Sequence, residues 1–138
     1  MEAVPPFDHP TTLDTPSSRA FAVRAATVLG WFFAGAGVMR LLPVPFDVEL
    51  FASWDLPAWF RTAVGIAELA VGLLVSRAGW RPLGLIGIGV VMISAGTMHA
   101  ALGHSLLVAV AVNGTIAAAA LTLAWTLRAE VDGIGGPR

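Results

Sequence analysis

Four side chains in largely apolar surroundings have the chemistry to bind a ligand, a proton or an ion: Arg40, Glu68, His99 and Asn113. Glu68 is the only ionisable residue in the stretch GIAELAVG. A carboxylate there can take up a proton, bind a cation or pair with a guanidinium. Because an ionisable group at the centre of a bilayer costs at least about 2.5–3.5 kcal/mol on insertion scales, it normally faces the protein interior and has a partner. Glu68 is therefore the first candidate for a functional side chain.

Candidate partners of Glu68 come from several parts of the chain. Arg61 precedes it by two helical turns on the same face, and the long side chain of Arg40 can reach about 6–7 Å toward the membrane interior. His99 and Asn113 follow later, Asn113 at nearly the predicted depth of Glu68. We expect one shared polar interior, in which Glu68 paired with Arg40 stays ionised. A Glu68 left with only Asn113 and hydroxyl groups would instead be neutral.

Each of these residues also has a structural explanation. Hydrogen bonds between membrane helices are worth about 0.6–2 kcal/mol and can simply fix helix register, which would account for Asn113 and for Glu68 with Arg40. His99, near a predicted membrane surface, could be merely hydrated, and Arg61 could be an interface anchor. The sequence leaves both explanations open for each residue.

The composition argues against several kinds of site. Without cysteine, the chain has no disulfide, thiol nucleophile or Cys-ligated metal centre. His99 and Glu68 are too few for a protein-only metal site, which uses three or four ligands, so we predict no metal and no intrinsic cofactor. A formal net charge of −1 without a basic block does not favour nucleic acid as a partner. Gly84, Gly87 and Gly89 are predicted to serve helix packing rather than a phosphate-binding loop.

Hydropathy places the candidate residues on membrane helices. Hydrophobic residues make up 57% of the chain and charged residues 12%, with a mean hydropathy of +0.79, against roughly 45–50% and 25% in soluble domains. Four stretches reach the length of about 20 apolar residues that a membrane crossing needs. We predict an all-α fold, an integral-membrane antiparallel four-helix bundle with short loops and one longer outer loop. The predicted spans are residues 22–42, 57–76, 83–102 and 105–127 of a transmembrane domain 22–128, with a mobile cytoplasmic tail 1–21 and a second tail 129–138.

Small residues at intervals of four, seven or eight give each span a face for close helix packing. The small residues are Ala22, Ala26, Gly30 and Ala34 in the first span, Gly65 and Gly72 in the second, Gly89, Gly96 and Gly103 in the third, and Ala109 and Ala117 in the fourth.

The longer loop, residues 43–56, mixes aromatic and acidic residues and could either lie on the membrane surface or cap the mouth of the bundle. Trp31, at mid-depth in the first span, is predicted to pack in the core.

Arginine and tryptophan positions predict the orientation. Because cytoplasmic loops carry the excess of basic residues, the arginine-rich side is assigned to the cytoplasm. This places both termini on the cytoplasmic side of the bacterial cytoplasmic (inner) membrane. A secretory signal ending at Ala34-Gly35-Ala36 is a competing interpretation of the first span. The arginines assigned to the cytoplasm are Arg19, Arg24, Arg77, Arg81 and Arg128, and the predicted interface residues are Trp54, Trp59, Trp80 and Trp125.

Two stretches resemble the DoxX-like family of small bacterial four-helix membrane proteins: GAGVMRLLP at the end of the first span and FASWDLPAWFRTAVGIAELAVGLLV through the second. Arg-Pro opening the third span and a His near its end add to this resemblance, which covers most of residues 35–99. It implies that Arg40 stands where the family commonly has Lys and that Glu68 is the family's second-span acid. Some members are linked to thiosulfate oxidation with quinone as electron acceptor, others to redox-stress assemblies with soluble partners.

These observations lead to hypotheses of different classes. The first is an accessory or scaffold subunit of a redox or respiratory membrane complex, whose polar pocket of Arg40, Glu68 and His99 holds a quinone or a lipid. Such a subunit would associate with membrane lipid and with other membrane or redox proteins, or form a homo-oligomer. The second is a small transporter or proton-handling protein in which Glu68 binds a cation or a proton. A stand-alone enzyme with His99 as general acid and base is a further alternative.

Overall fold

The computed structural model describes residues 16–105 and 107–128, and these residues form helices joined by short turns, with no strand among them. The helices are, in chain order, α1 Pro16–Leu41, α2 Pro45–Ser53, α3 Ala58–Val75, α4 Arg81–Ala101, a π-helix Leu107–Val112 and α5 Asn113–Thr126. The longer helices are α1, α3 and α4, and the π-helix leads directly into α5. The predicted all-α class is confirmed for these residues.

Three helices are long and apolar enough to cross a membrane. They are α1, α3 and α4, with 26, 18 and 21 residues and mean hydropathies of 1.5, 1.6 and 1.7 over 18-residue windows. These helices correspond to the predicted spans 22–42, 57–76 and 83–102. The apolar helices and their lengths therefore identify a membrane protein.

The described part of α1 extends beyond the predicted first span on its N-terminal side. Residues 16–21, which were assigned to the predicted tail, are helical. The rest of the two predicted tails, residues 1–15 and 129–138, lies outside the described residues.

The predicted fourth span, residues 105–127, has two backbone geometries. The π-helix occupies Leu107–Val112, and α5 continues from Asn113 for 14 residues and packs against α4. A π-helix carries wider i→i+5 hydrogen bonds, so side chains in α5 are rotated about the axis relative to an uninterrupted α-helix. α5 alone is shorter than the roughly 20 residues that a crossing needs.

Glycines bring α1 and α3 into antiparallel contact. Gly30 of α1 lies against Gly72 of α3, and Gly37 lies against Gly65, so that two pairs seven residues apart meet. A Cβ atom on Gly37 would stand 2.5 Å from the Leu69 amide nitrogen and 2.6 Å from the Gly65 carbonyl oxygen. The backbones therefore approach more closely than any side chain allows, as membrane helices with small residues do. The predicted small-residue face of α1 is confirmed, since its members are buried: Ala22, Ala26, Gly30 and Ala34.

Glycines also set the contacts of α4, although not over the whole predicted stripe. A Cβ atom on Gly84 would lie 2.6 Å from the Val75 amide nitrogen, and one on Gly89 would lie 2.9 Å from Leu121 of α5. The stripe ends at Gly89, because Gly96 is only half-buried and Gly103 is exposed in the turn after α4. Gly103 has φ of +71°, a left-handed conformation that glycine adopts without strain.

Bulky apolar side chains face outward where small ones face inward. Trp31 is 60% exposed, so its predicted place in the core is wrong. The buried face of α1 is occupied by alanine and glycine, which leaves the tryptophan on the side that lipid would cover. Among the described residues, the largest fully buried side chains are Phe33, Leu85, Ile88, Leu127 and Val75.

The loop predicted at residues 43–56 contains a helix that covers one end of the molecule, which we call the α2 end. Pro45 opens α2 in its first turn, where proline is favoured. Phe51 is buried beneath α2, whereas Phe46 is exposed on its other side. Trp54 is half-buried beside Phe51. The helix therefore acts as a cap on the interior of the molecule at this end.

We predict that Gly37→Ala lowers the midpoint of thermal unfolding, Tm, of the detergent-solubilised protein, whereas Gly35→Ala does not. A Cβ on Gly37 would meet backbone atoms of α3, and such overpacking costs about 1–3 kcal/mol. Gly35 has no atom within 4 Å of the added carbon, and alanine is the better helix former. Circular dichroism during heating measures both variants. Equal Tm values would contradict the close α1–α3 contact.

Candidate functional site

A cavity of about 680 Å³ lies between α3 and α4 beneath the cap formed by α2. Four of the five predicted site residues lie on its wall: Arg40, Glu68, His99 and Asn113. The remainder of the wall is mostly apolar and includes Phe51, Trp54, Phe60, Val64, Val91 and Met98. The cavity therefore combines a hydrophobic surface with a small set of polar groups.

Arg40 and Glu68 form an ion pair on this wall, in which Arg40 Nη1 donates to Glu68 Oε2. Glu68 is 3% exposed, so its carboxylate is almost fully removed from solvent. Gly65 lies one turn before Glu68, and a Cβ atom there would stand 3.0 Å from Arg40 Cβ. Because this glycine lets α1 approach α3, the guanidinium reaches the carboxylate directly.

Arg61 lies beside the cavity rather than on its wall. Its Nη1 donates to the carbonyl oxygen of Leu42 at 2.8 Å and to that of Arg40, and so caps the C-terminal end of α1. The same nitrogen lies 3.5 Å from Asp47 Oδ2 in α2. Arg61 thus links α3 to α1 and α2.

Asp47 connects the two arginines and was not singled out by the sequence. Its Oδ1 lies 4.0 Å from Arg40 Nε, which makes an alternating series of charges: Glu68, Arg40, Asp47 and Arg61. Its position in the first turn of α2 is where an acid is favoured by the helix dipole. That local signal predicts a helix start but not the contact with arginines of other helices.

Two histidines meet at the α2 end. His99 Nδ1 and His104 Nδ1 are 2.9 Å apart, and the Trp54 ring lies 5.2 Å from the His99 ring and 5.0 Å from the His104 ring, between centroids. The turn at Gly103 brings His104 back over the end of α4, where its amide nitrogen donates to the His99 carbonyl oxygen at 3.0 Å. An N–H···N bond requires one Nδ1 to carry a proton and the other to accept it. His104 has no signal in the sequence beyond its position after a glycine.

Asn113 is buried at the junction of the π-helix and α5, where it reaches the cavity. Arg81 is also buried but is the first residue of α4, away from the cavity, where its Nε donates to the Val75 carbonyl oxygen at 3.2 Å. Within residues 16–105 and 107–128, no three His, Cys, Asp or Glu side chains come together in a way that could hold a metal ion. The arrangement is suited to binding a ligand through hydrogen bonds and apolar contact.

We predict that Arg61→Gln lowers the Tm of the purified protein, whereas Arg77→Gln has little effect. The first change removes an ion pair to Asp47 and charged hydrogen bonds to the end of α1, which are worth about 1.5–3 kcal/mol each. Arg77 is an exposed residue of the turn after α3 and serves as the matched control. Thermal unfolding in the same detergent compares the two. An unchanged Tm for Arg61→Gln would show that this arginine does not hold the helices together.

Comparison with known proteins agrees with the resemblance drawn from the sequence. An uncharacterized protein of Bacillus subtilis (strain 168), YdgD, is 36% identical over 74 residues, which make up 52% of this chain. The chain spans 65% of the length of that relative. No solved structure matches the chain. A family model described as the DoxX-like family matches residues 25–125, a range that contains Arg40, Glu68, His99 and Asn113. The chain belongs to the DoxX-like family.

Proposed function

We propose that this chain is an accessory or scaffold subunit of a redox or respiratory membrane complex and that its cavity binds an amphiphilic small molecule, a quinone or a lipid. The observation that carries the proposal is the mostly apolar cavity with Arg40, Glu68, His99 and Asn113 on its wall. Ligand sites typically have volumes of about 300–1,000 Å³ and combine apolar walls with a few polar groups. The cavity volume of about 680 Å³ falls in this range.

The proposal includes four membrane crossings in an antiparallel bundle. The π-helix and α5 together give continuous helical backbone over residues 107–126, which meets the requirement of about 20 residues. The contact of α5 with α4 supports its place in the bundle. With the arginine-rich side in the cytoplasm, both termini lie on the cytoplasmic side of a bacterial inner membrane.

The redox setting is supported by membership of the DoxX-like family, because the sequence resemblance implies a link to quinone-dependent reactions. The ligand site is supported independently of the family. Phe51 and Trp54 place aromatic rings on the cavity wall, and the Phe51 ring centroid lies 5.9 Å from the Arg40 guanidinium carbon. A planar ring would stack on such surfaces. The remaining apolar wall would contact a hydrocarbon chain.

A proton-handling or transport role is the second candidate, because Glu68 is a buried carboxylate next to a cavity. In that role a cation would have to displace the guanidinium of Arg40, which already pairs with Glu68. Liposomes containing the purified protein distinguish the two functions. Proton or cation flux that is lost in Glu68→Gln would support transport, and ligand binding without flux would support the subunit.

We predict that Ala67→Leu weakens quinone binding at least about tenfold, equivalent to about 1.4 kcal/mol, whereas Ala70→Leu does not. Ala67 lies on the cavity wall, so a larger side chain fills space that the ligand needs. Ala70 is an exposed residue of the same helix and receives the same change in volume. Quenching of tryptophan fluorescence by a long-chain quinone gives the affinity.

Mass spectrometry of the protein after gentle extraction from membranes completes the test. It identifies copurified small molecules and the protein partners that a subunit must have. Wild-type protein that binds no quinone or lipid, or equal affinities for Ala67→Leu and Ala70→Leu, would contradict the proposed ligand site. A monomer without protein partners would contradict the subunit role.

A further inference from the structure

We infer that the cavity selects an amphiphile whose head carries no charged group, drawn from the bilayer through an opening between α3 and α4, and that it rejects anionic phospholipids. This inference rests on the proposed function, because it assigns the ligand class of the same cavity. Its basis is the charge balance around the polar wall and the position of the cavity rim.

The charged groups around the cavity cancel one another. Arg40 pairs with Glu68, and Arg61 pairs with Asp47, which also approaches Arg40. Two cations and two anions leave no excess positive charge for a phosphate. A site that binds an anion usually offers unpaired cations or a cluster of backbone N–H groups.

Other acids at the α2 end oppose an anion further. Glu49 of α2 and Asp55 of the turn after it are both exposed. Because both are acidic side chains and no basic side chain accompanies them among the described residues of α2 and the turn that follows it, the field that an approaching head would meet at this end is not positive. A neutral head is not repelled by it.

An anionic head would also have to break the buried ion pair. If a phosphate took Arg40, the carboxylate of Glu68 would be left without its guanidinium at 3% exposure. Removing one partner from a buried pair is strongly unfavourable, because the remaining charge is neither hydrated nor neutralised. A carbonyl or hydroxyl group can instead bond to imidazole, amide or hydroxyl groups of His99, Asn113 and Ser94 without disturbing the pair.

The rim of the cavity faces the side of the molecule that lipid covers. Val90 lies on the cavity wall and is 58% exposed. It lies on the same face of α4 as Ile86 and Ile93, which are also exposed. All three belong to a helix that is long and apolar enough to cross a membrane. A molecule dissolved in the bilayer can therefore enter from the side, with its chain along the apolar wall.

The test compares diacylglycerol with phosphatidic acid of identical acyl chains, which differ only in the phosphate. An isoprenoid quinone is included as a second neutral amphiphile. The full-length protein in nanodiscs of phosphatidylcholine is titrated with each, and native mass spectrometry counts the bound molecules. We expect the wild-type protein to bind at least one neutral amphiphile at least tenfold more tightly than phosphatidic acid.

Two charge variants sharpen the comparison. Glu68→Gln leaves Arg40 without its buried acid, so the preference should shift at least tenfold toward phosphatidic acid. Asp47→Asn removes the other acid of the cluster and should shift the preference in the same direction. This variant carries the test if Glu68→Gln does not fold. Arg77→Gln is the control, because this exposed arginine follows α3 at the end opposite to the α2 end, is not on the cavity wall and should leave the preference unchanged.

The outcomes separate this inference from the proposed function. Binding of none of the three amphiphiles overturns the proposed ligand site, and this inference with it. Phosphatidic acid bound as tightly as the neutral amphiphiles overturns only the inference, and so does an unchanged preference in both charge variants. Neutral selectivity that is reversed by the loss of Glu68 or Asp47 supports it.

Discussion

The ion pair between Arg40 and Glu68 is the interaction on which the described structure depends. A carboxylate at 3% exposure within an apolar helix needs a counter-charge, and only a close helix contact can deliver one. Gly37 and Gly65 provide that contact by removing the side chains that would hold α1 and α3 apart. The pair in turn fixes the rotation of both helices, since a turned helix would carry one of the charges into lipid.

The two ends of the α1–α3 pair have different neighbours. At the end where Gly30 meets Gly72, Val75 fills the remaining space and packing is tight. At the α2 end, polar and aromatic side chains hold α3 and α4 apart, and the cavity lies between them. Arg61 and Asp47 join α2 to this end. One end therefore provides rigidity, and the other provides the room in which a ligand can be bound.

Much of this arrangement follows from sequence, and the missing parts have physical causes. Hydropathy predicts the long helices, because transfer into lipid depends on composition. The cost of a buried charge singles out Glu68, and the reach of arginine singles out Arg40. Asp47 and His104 could not be predicted as neighbours of these residues, since both depend on turns that reverse the chain. The π-helix was missed because its sequence is as apolar as an ordinary span.

The separation of α1 and α3 along the chain has a consequence for biosynthesis. Arg40 leaves the ribosome before Glu68, with α2 between the helices that carry them. Until α3 is inserted, the guanidinium has no buried acid and must remain among lipid headgroups, which its position at the end of α1 allows. The ion pair can therefore form only after α3 has been synthesised, and the contact between α1 and α3 is completed late relative to the insertion of α1.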